Sequence, residues 1–344
     1  MMPDQITFIH PEPAPSPTSI WPVFLPFAGC PYRCVFCAQD KQTGQDEMAL
    51  ETILQTLDHD LDTALAEGRG PYEIAFYGGT FTALPSPWPE MFLGLAMRYR
   101  ERGLITHIRC STRPDCVDDF SLSMFRAQGL DMVELGIQSF DDQALKTSGR
   151  GYDGDTARRA CEMVKNAGLG LGIQLLPGLP GDRPGVFQED VRIGASLEPE
   201  TARLYPCLVI KGTPLATMWE RGEYEPWSVD RSKEELAAAL LKLWAKDVRV
   251  IRLGLAPEGT LADNIVAGPW HPALGQSARG LALLGFVRQH VAELGCKPAH
   301  FIVPRRYSGE LYGHGREFAP QYFDLGLEKG NVEFVDGDEF VLNG

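Results

Sequence analysis

The sequence predicts an α/β fold: a partial (β/α)6 TIM-like barrel with a C-terminal α+β extension. Three observations lead there. Six short apolar runs recur between residues 21 and 210, and helical periodicity fills the stretches between them. Strands that alternate with helices and are apolar throughout belong to parallel βα units. Three of the runs end in glycine-rich or polar turns, YGGT, GIQS and LPGLPG, at the strand ends where a barrel of this kind places its site.

The elements follow in chain order. Residues 10–19, HPEPAPSPTS, are rich in Pro and Ser and read as an extended lead-in. The expected strands are Trp21–Ala28, Glu73–Gly79, His107–Arg113, Met132–Ser139, Leu169–Pro177 and Thr201–Ile210. The first helix carries Leu50, Ile53, Leu54, Leu57, Leu61 and Leu65 at helical spacing. Another spans about Asp153 to Ala167, with Asp155 near its start, Gly168 just past its end, and an apolar face of Ala157, Ala160, Cys161 and Val164. After Ile210 the character changes. Ser232 and Glu235 form a capping box for a helix bearing Leu236, Leu240, Leu243 and Trp244. Arg249–Leu255 reads as one more strand, further helical segments follow, and Val332–Leu342 reads as a hairpin turning at Asp336–Gly337. The expected division is a lead-in over 1–19, a barrel core over 20–212, and an extension over 213–344 that completes or covers the barrel.

Composition bounds the function. The chain has 344 residues, 32 Lys+Arg against 46 Asp+Glu, and a net charge of −14. An acidic balance argues against a broad nucleic-acid or anionic-membrane surface, because phosphate binding needs clustered Lys and Arg. No run of 18 apolar residues predicts a membrane span, and the first ten residues lack the pattern of a signal peptide. Eight cysteines are too few for a disulfide scaffold in a chain this long. A reducing cytoplasm is the expected setting, and closely spaced thiols there point to metal.

Three of the eight fall together as Cys30, Cys34 and Cys37, spaced C-x3-C-x2-C in GCPYRCVFC. Thiolates bind soft metals, and short spacings let one loop wrap a single centre. Spacing alone leaves three readings open: a chance group, a zinc site completed by a distant Cys or His, or a [4Fe–4S] cluster with one iron free of protein. The loop follows an apolar strand at the start of a βα series, which places it at a barrel mouth and favours the cluster. Gly78, Gly79 and Thr80 close the second strand, where two glycines allow close backbone approach to a ligand or simply form a tight turn. Gln138 and Ser139 close the fourth as a polar pair.

These stretches together resemble the radical S-adenosylmethionine (SAM) enzymes. The C-x3-C-x-Φ-C loop, with Phe36 before the last cysteine, is followed in order by YGGTFTALP, STRPDCVDD, ELGIQSFDDQALKTSGRGYDG, GIQLLPGLPGD, RLYPCLVIKGTPL and VIRLGL. The resemblance spans about residues 20–260 and runs to the radical-SAM half of the Elongator catalytic subunit and its shorter bacterial relatives. It implies that Cys30, Cys34 and Cys37 ligate a [4Fe–4S] cluster and that Gly78, Gly79 and Thr80 hold the methionine amino group of SAM. It further implies that Gln138 and Ser139 contact SAM and that Arg150 pairs with its carboxylate. It also implies that Gln174 lies near the ribose, and Phe36 and Leu176 near the adenine. Where many relatives read E-T-R-P-D, this chain has Ser111 in place of the glutamate, so ribose contact there is weakened or runs through water. The implied chemistry is one-electron cleavage of SAM to methionine and a 5′-deoxyadenosyl radical, which abstracts hydrogen from a substrate, with a flavodoxin- or ferredoxin-type protein as reductant.

The Elongator subunit modifies a tRNA wobble uridine with an acetyltransferase domain fused after the barrel. This chain is too short for that full domain and its charge gives tRNA no support, so the substrate stays unidentified. Two rival readings stand beside this one. A non-catalytic metal or RNA module has no use for a SAM pocket. A coproporphyrinogen-oxidase-like enzyme would carry a further cysteine where Ala38 stands. Lys211, Arg252 and the segment holding Arg305, Arg306, Tyr307, Tyr312, His314 and Arg316 are candidate contacts to an anionic substrate.

Overall fold

A computed structural model describes residues 3–39, 49–255 and 261–344. Its centre is a seven-stranded sheet, every neighbouring pair parallel, curled into a half-barrel. The strands are β2 (Ser19–Phe24), β3 (Tyr72–Tyr77), β4 (Ile105–Thr112), β5 (Met132–Gln138), β6 (Gly170–Leu175), β7 (Thr201–Leu204) and β9 (Arg249–Leu253), in that order across the sheet. The expected partial barrel is therefore present with seven strands instead of six. The seventh comes from beyond residue 212.

The sixth apolar run splits. β7 stops at Leu204, and β8 (Val209–Ile210) leaves the barrel to pair antiparallel with β10 (Ile265–Ala267). Pro206 lies between them and has no N–H to give a ladder.

Helices α1 (Leu50–Ala66), α2 (Trp88–Glu101), α3 (Asp119–Ala127), α4 (Asp142–Thr147), α5 (Gly154–Asn166), α6 (Val186–Ser196), α7 (Pro214–Glu220) and α8 (Val229–Trp244) intervene along the chain. α5 lies where expected, beginning directly after Asp153. Asp153 is its cap and accepts the Thr156 N–H at 2.8 Å. Gly168, at φ 70°, ends it in the left-handed region. The capping box expected at Ser232 is not the start of α8. Ser228 caps that helix at 3.1 Å from the Arg231 N–H, one turn earlier, and Ser232 is buried inside it.

A second core lies under a four-stranded sheet in the order β1 (Gln5–Ile9), β13 (Glu339–Asn343), β11 (His300–Pro304), β12 (Val332–Val335). The expected hairpin over 332–342 does not form. β11 separates its two arms, parallel to β12 and antiparallel to β13. Phe8 of β1 stacks on Phe340 at 5.1 Å. The long helix α9 (Leu274–Leu294) joins the two cores. Its Leu274, Ala278 and Ala282 sit in the barrel core, and its Leu283, Leu284 and Val287 in the second.

The lead-in is tied down at both ends of its course. Beyond β1, the Ser16 hydroxyl donates to Glu73 at 2.5 Å, Arg279 pairs with Glu12, and Arg249 donates to the Ala14 carbonyl at 3.4 Å. Glu73 and Arg249 stand at the N-terminal ends of β3 and β9, so the lead-in runs across the bottom of the half-barrel.

The barrel interior departs from the apolar expectation. Glu73, Arg109, Glu134 and Arg203 point inward from four strands. Arg109 lies 3.3 Å from Glu73 and 3.5 Å from Glu134, and Arg203 Nε lies 2.6 Å from Glu134. Tyr77 donates to Glu134 at 3.1 Å. Glu134 and Arg109 are only 1% and 2% exposed. Charges this deep are tolerated because each has an opposite partner.

Candidate active site

A cavity of about 540 Å³ opens at the C-terminal ends of the barrel strands. Phe36, Gly78, Gly79, Thr80, Ser111, Gln138, Arg150, Gln174 and Leu176 line it together with Cys30, Cys34 and Cys37.

The cysteine loop leaves the end of β2 and is held by backbone bonds on three sides. Leu25 N–H donates to Tyr77 O at 2.7 Å and Thr80 N–H to Ala28 O at 2.8 Å. Val35 N–H donates to Ser148 O at 3.2 Å and Leu215 N–H to Val35 O at 2.9 Å. The β3 turn packs so closely on this loop that a Cβ at Gly79 would overlap the Ala28 carbonyl oxygen. Gly79 is thus required by the loop as well as by any ligand. Cys30 Sγ lies 3.2 Å from Thr80 Oγ1.

Cys34 is buried between two guanidinium groups, Arg150 Nη1 at 3.1 Å and Arg113 Nη1 at 3.7 Å. Arg150 also donates to Tyr152 OH at 3.0 Å and to the Gly136 carbonyl. Three of its five N–H groups are engaged, and two remain for a ligand. Arg113 is fixed by Asp115 at 2.9 and 2.8 Å. Burial, with Cys34 and Cys30 adding to it, pushes the Cys37 thiol up to about 12.

Gln138 ends β5 at φ 70°, an uncommon conformation for a non-glycine residue, beside an irregularity in the β5–β6 register. Ser111 is not left alone by the loss of a glutamate, since Gln174 Nε2 donates to its Oγ at 3.1 Å. Ser139 is the exception among the expected contacts. It follows the left-handed Gln138 just past the end of β5, and it turns away from the cavity into the helix layer. There its hydroxyl donates to Asp190 Oδ2 at 2.7 Å and accepts from Asp141 N–H at 3.0 Å.

Asp190 of α6 also accepts the Phe140 N–H at 2.7 Å. Burial outweighs these hydrogen bonds and pushes its carboxyl up to about 7. A carboxyl raised in the folded state stabilises most below its unfolded value, and that contribution is lost as pH rises through the folded one. Wild-type stability is therefore expected to fall by a few kcal/mol relative to Asp190→Asn between about pH 4 and pH 7. Thermal or urea unfolding of the two proteins across that range checks this, and parallel curves would refute it.

Sequence reasoning missed Arg113, Arg203, Tyr77 and Tyr205 as cavity residues. Arg113 was legible, since it stands beside the Ser111 position in the same STRPD stretch. Arg203 and the tyrosines carried no local signal. Arg252 does line the cavity, but Lys211 and the 305–316 segment are absent from its wall. That segment belongs to the second sheet region, where Arg306 pairs with Asp338 at 2.5 Å and Arg305 with Asp336 at 3.5 Å.

A parallel half-barrel with Cys30, Cys34, Cys37 and Cys207 at its mouth, and no Asp or Glu among the described residues that line it, frames the site. The chain belongs to the radical SAM superfamily, whose description matches residues 24–192, with the Radical_SAM C-terminal domain matching 199–280. It is 27% identical over 267 residues to the tRNA uridine(34) acetyltransferase of Methanocaldococcus infernus, covering 65% of this chain and 50% of that one. It is 26% identical over 262 residues to human Elongator complex protein 3, covering 64% and 47%. The chain thus spans about half the length of the curated relatives it matches. The archaeal Methanocaldococcus infernus Elp3 with an N-terminal deletion shares the fold, with a TM-score of 0.60 at 21% identity over 81% of this chain and 65% of that one.

The family uses a [4Fe–4S] cluster and SAM, and the residues present fit both. Cys30, Cys34 and Cys37 stand on one loop that lines the cavity, with the Arg150 and Arg113 guanidinium groups 3.1 and 3.7 Å from the Cys34 sulfur, and a set of soft thiolates on one loop suits an iron–sulfur cluster. No helix among the described residues is long and apolar enough to cross a membrane.

Proposed function

We propose that Cys30, Cys34 and Cys37 hold the [4Fe–4S] cluster, that the β3–β6 side of the cavity holds SAM, and that the substrate sits against β7 and β9. One observation carries this reading: the three cysteines share a single cavity with Gly78–Thr80, Gln138 and Arg150. The bound pair supplies one-electron cleavage of the sulfonium to methionine and a 5′-deoxyadenosyl radical, which takes hydrogen from the substrate. The chain's own residues do the rest. Arg113 and Arg150 donate to the Cys34 sulfur and fix its position. Gly78, Gly79 and Thr80 offer backbone groups to the amino end of SAM. Arg150, which lines the cavity and has two uncommitted N–H groups, is offered to its carboxylate. Ser111 and Gln174 present neutral polar groups to the ribose, and Phe36 and Leu176 apolar surface to the adenine. Ser139 braces Gln138 from behind.

The substrate is read as a small molecule or peptide. The names of the relatives point to tRNA, but a net charge of −14 supplies little for a polyanion. A flavodoxin- or ferredoxin-type reductant and a cytoplasmic setting suit eight free thiols. Residues 20–212 are read as the core, with 213–344 adding β9 and covering the barrel. Anaerobic reconstitution with iron and sulfide, followed by reductant and SAM, is expected to give a brown protein that forms 5′-deoxyadenosine. A colourless zinc protein that leaves SAM intact would overturn the reading.

A further inference from the structure

Among the described residues, five arginines line the cavity and no Asp or Glu does. In a chain of net charge −14 this is a local concentration of positive charge. Three of the five have evident work near the cysteines. Arg113 and Arg150 flank Cys34, and Arg33 lies over the Phe27 ring at 3.6 Å. The other two stand on the opposite side of the sheet. Arg203 of β7 is the register partner of Arg252 of β9, so the two guanidinium groups lie on one face of neighbouring strands.

Arg203 is fully engaged. Glu134 answers its charge at 2.6 Å, Tyr205 OH accepts from it at 3.1 Å, and Tyr77 OH accepts as well. Arg252 is half-buried and, among the described residues, has no hydrogen-bond or ion-pair partner. One carboxylate between two adjacent guanidinium groups leaves a positive charge uncompensated in a partly desolvated wall, and such a charge needs a counter-ion.

We propose that Arg252 binds an anionic group of the substrate, a carboxylate or a phosphate, with Arg203 and Tyr205 beside it as a rigid backing. The proposal rests on the reading that SAM occupies the β3–β6 side. Arg252 is then a specificity residue that holds the substrate by its charged end and leaves the remainder directed across the cavity. Arg is suited to this because its planar fork binds carboxylate and phosphate oxygens in pairs.

The test is a calorimetric titration with two probes, pyrophosphate and tricarballylate. It uses protein reconstituted with iron and sulfide and saturated with SAM without reductant, and in parallel the iron-free protein. Arg252→Gln is expected to weaken binding by about tenfold or more in both forms. Arg252→Lys should recover part of the loss, and Arg221→Gln, an exposed arginine on α7's C-terminal side, should leave binding as in the wild type. Whichever probe binds tighter names the group. Wild-type affinity in Arg252→Gln, or an equal loss in Arg221→Gln, would overturn the proposal. Failure to take up iron would instead sink the cofactor reading, and the iron-free titration would still report on Arg252.

Discussion

Replacing Cys34 with Ala is expected to abolish the brown colour of the reconstituted protein and SAM cleavage with it. Cys34 is 6% exposed and receives both buried guanidinium groups. Its removal deletes a ligand and leaves Arg113 and Arg150 facing an unpaired space. Loss of an outer-shell partner alone typically costs 10–100-fold in metal affinity or activity, so loss of a ligand should exceed about a hundredfold. Iron content per chain and 5′-deoxyadenosine formation measure the two effects. Cys161→Ala is the control. Cys161 lies on the buried face of α5, where burial pushes its thiol up to about 12, and its replacement should leave iron content unchanged. Equal iron in the Cys34 variant would show that the ligand set lies elsewhere.

The second large effect is on stability. Glu134→Gln leaves Arg109 and Arg203 without their shared carboxylate in the barrel interior. Breaking a buried ion pair by removing one partner costs about 3–5 kcal/mol, because the surviving charge stays buried. A fall of that size in the urea-unfolding free energy is expected. The exposed pair of Glu189 and Arg192, at 2.5 Å, gives the contrast. Exposed pairs contribute about 0–1 kcal/mol, so Glu189→Gln should barely move the midpoint. Similar small effects from both variants would mean that water, not Glu134, compensates the interior arginines.

What the sequence made legible is what lies close along the chain. The cysteine loop, the Gly78–Thr80 turn and the caps of α5 each occupy a few consecutive residues, so spacing and side-chain type suffice. Ser139 misled because the chain turns at Gln138, whose φ is 70°, and carries the next side chain to Asp190 and Asp141. The interior pairing of Glu134 with Arg203 joins residues 69 apart, each set in a strand that otherwise reads as apolar. No local pattern announces such a partner. The 332–342 segment failed for a related reason. Two strands joined by an Asp-Gly turn look like a hairpin until a third strand, β11, takes the place between them.

The strand pair β1–β13 matches Gln5 with Asn343 and Phe8 with Phe340. β1 also anchors the lead-in that seals the bottom of the half-barrel. During synthesis β1 cannot pair until residues 339–343 have emerged, long after the barrel strands are complete. The final anchoring of the lead-in is thus set by chain order, with the contacts of residues 12–16 to Glu73, Arg249 and Arg279 available first. Contacts at such separation form slowly because loop closure must precede them. The same link ties retention of the lead-in to an intact second sheet, so damage far from the cysteines, in β11 or β13, would loosen it beneath the chamber.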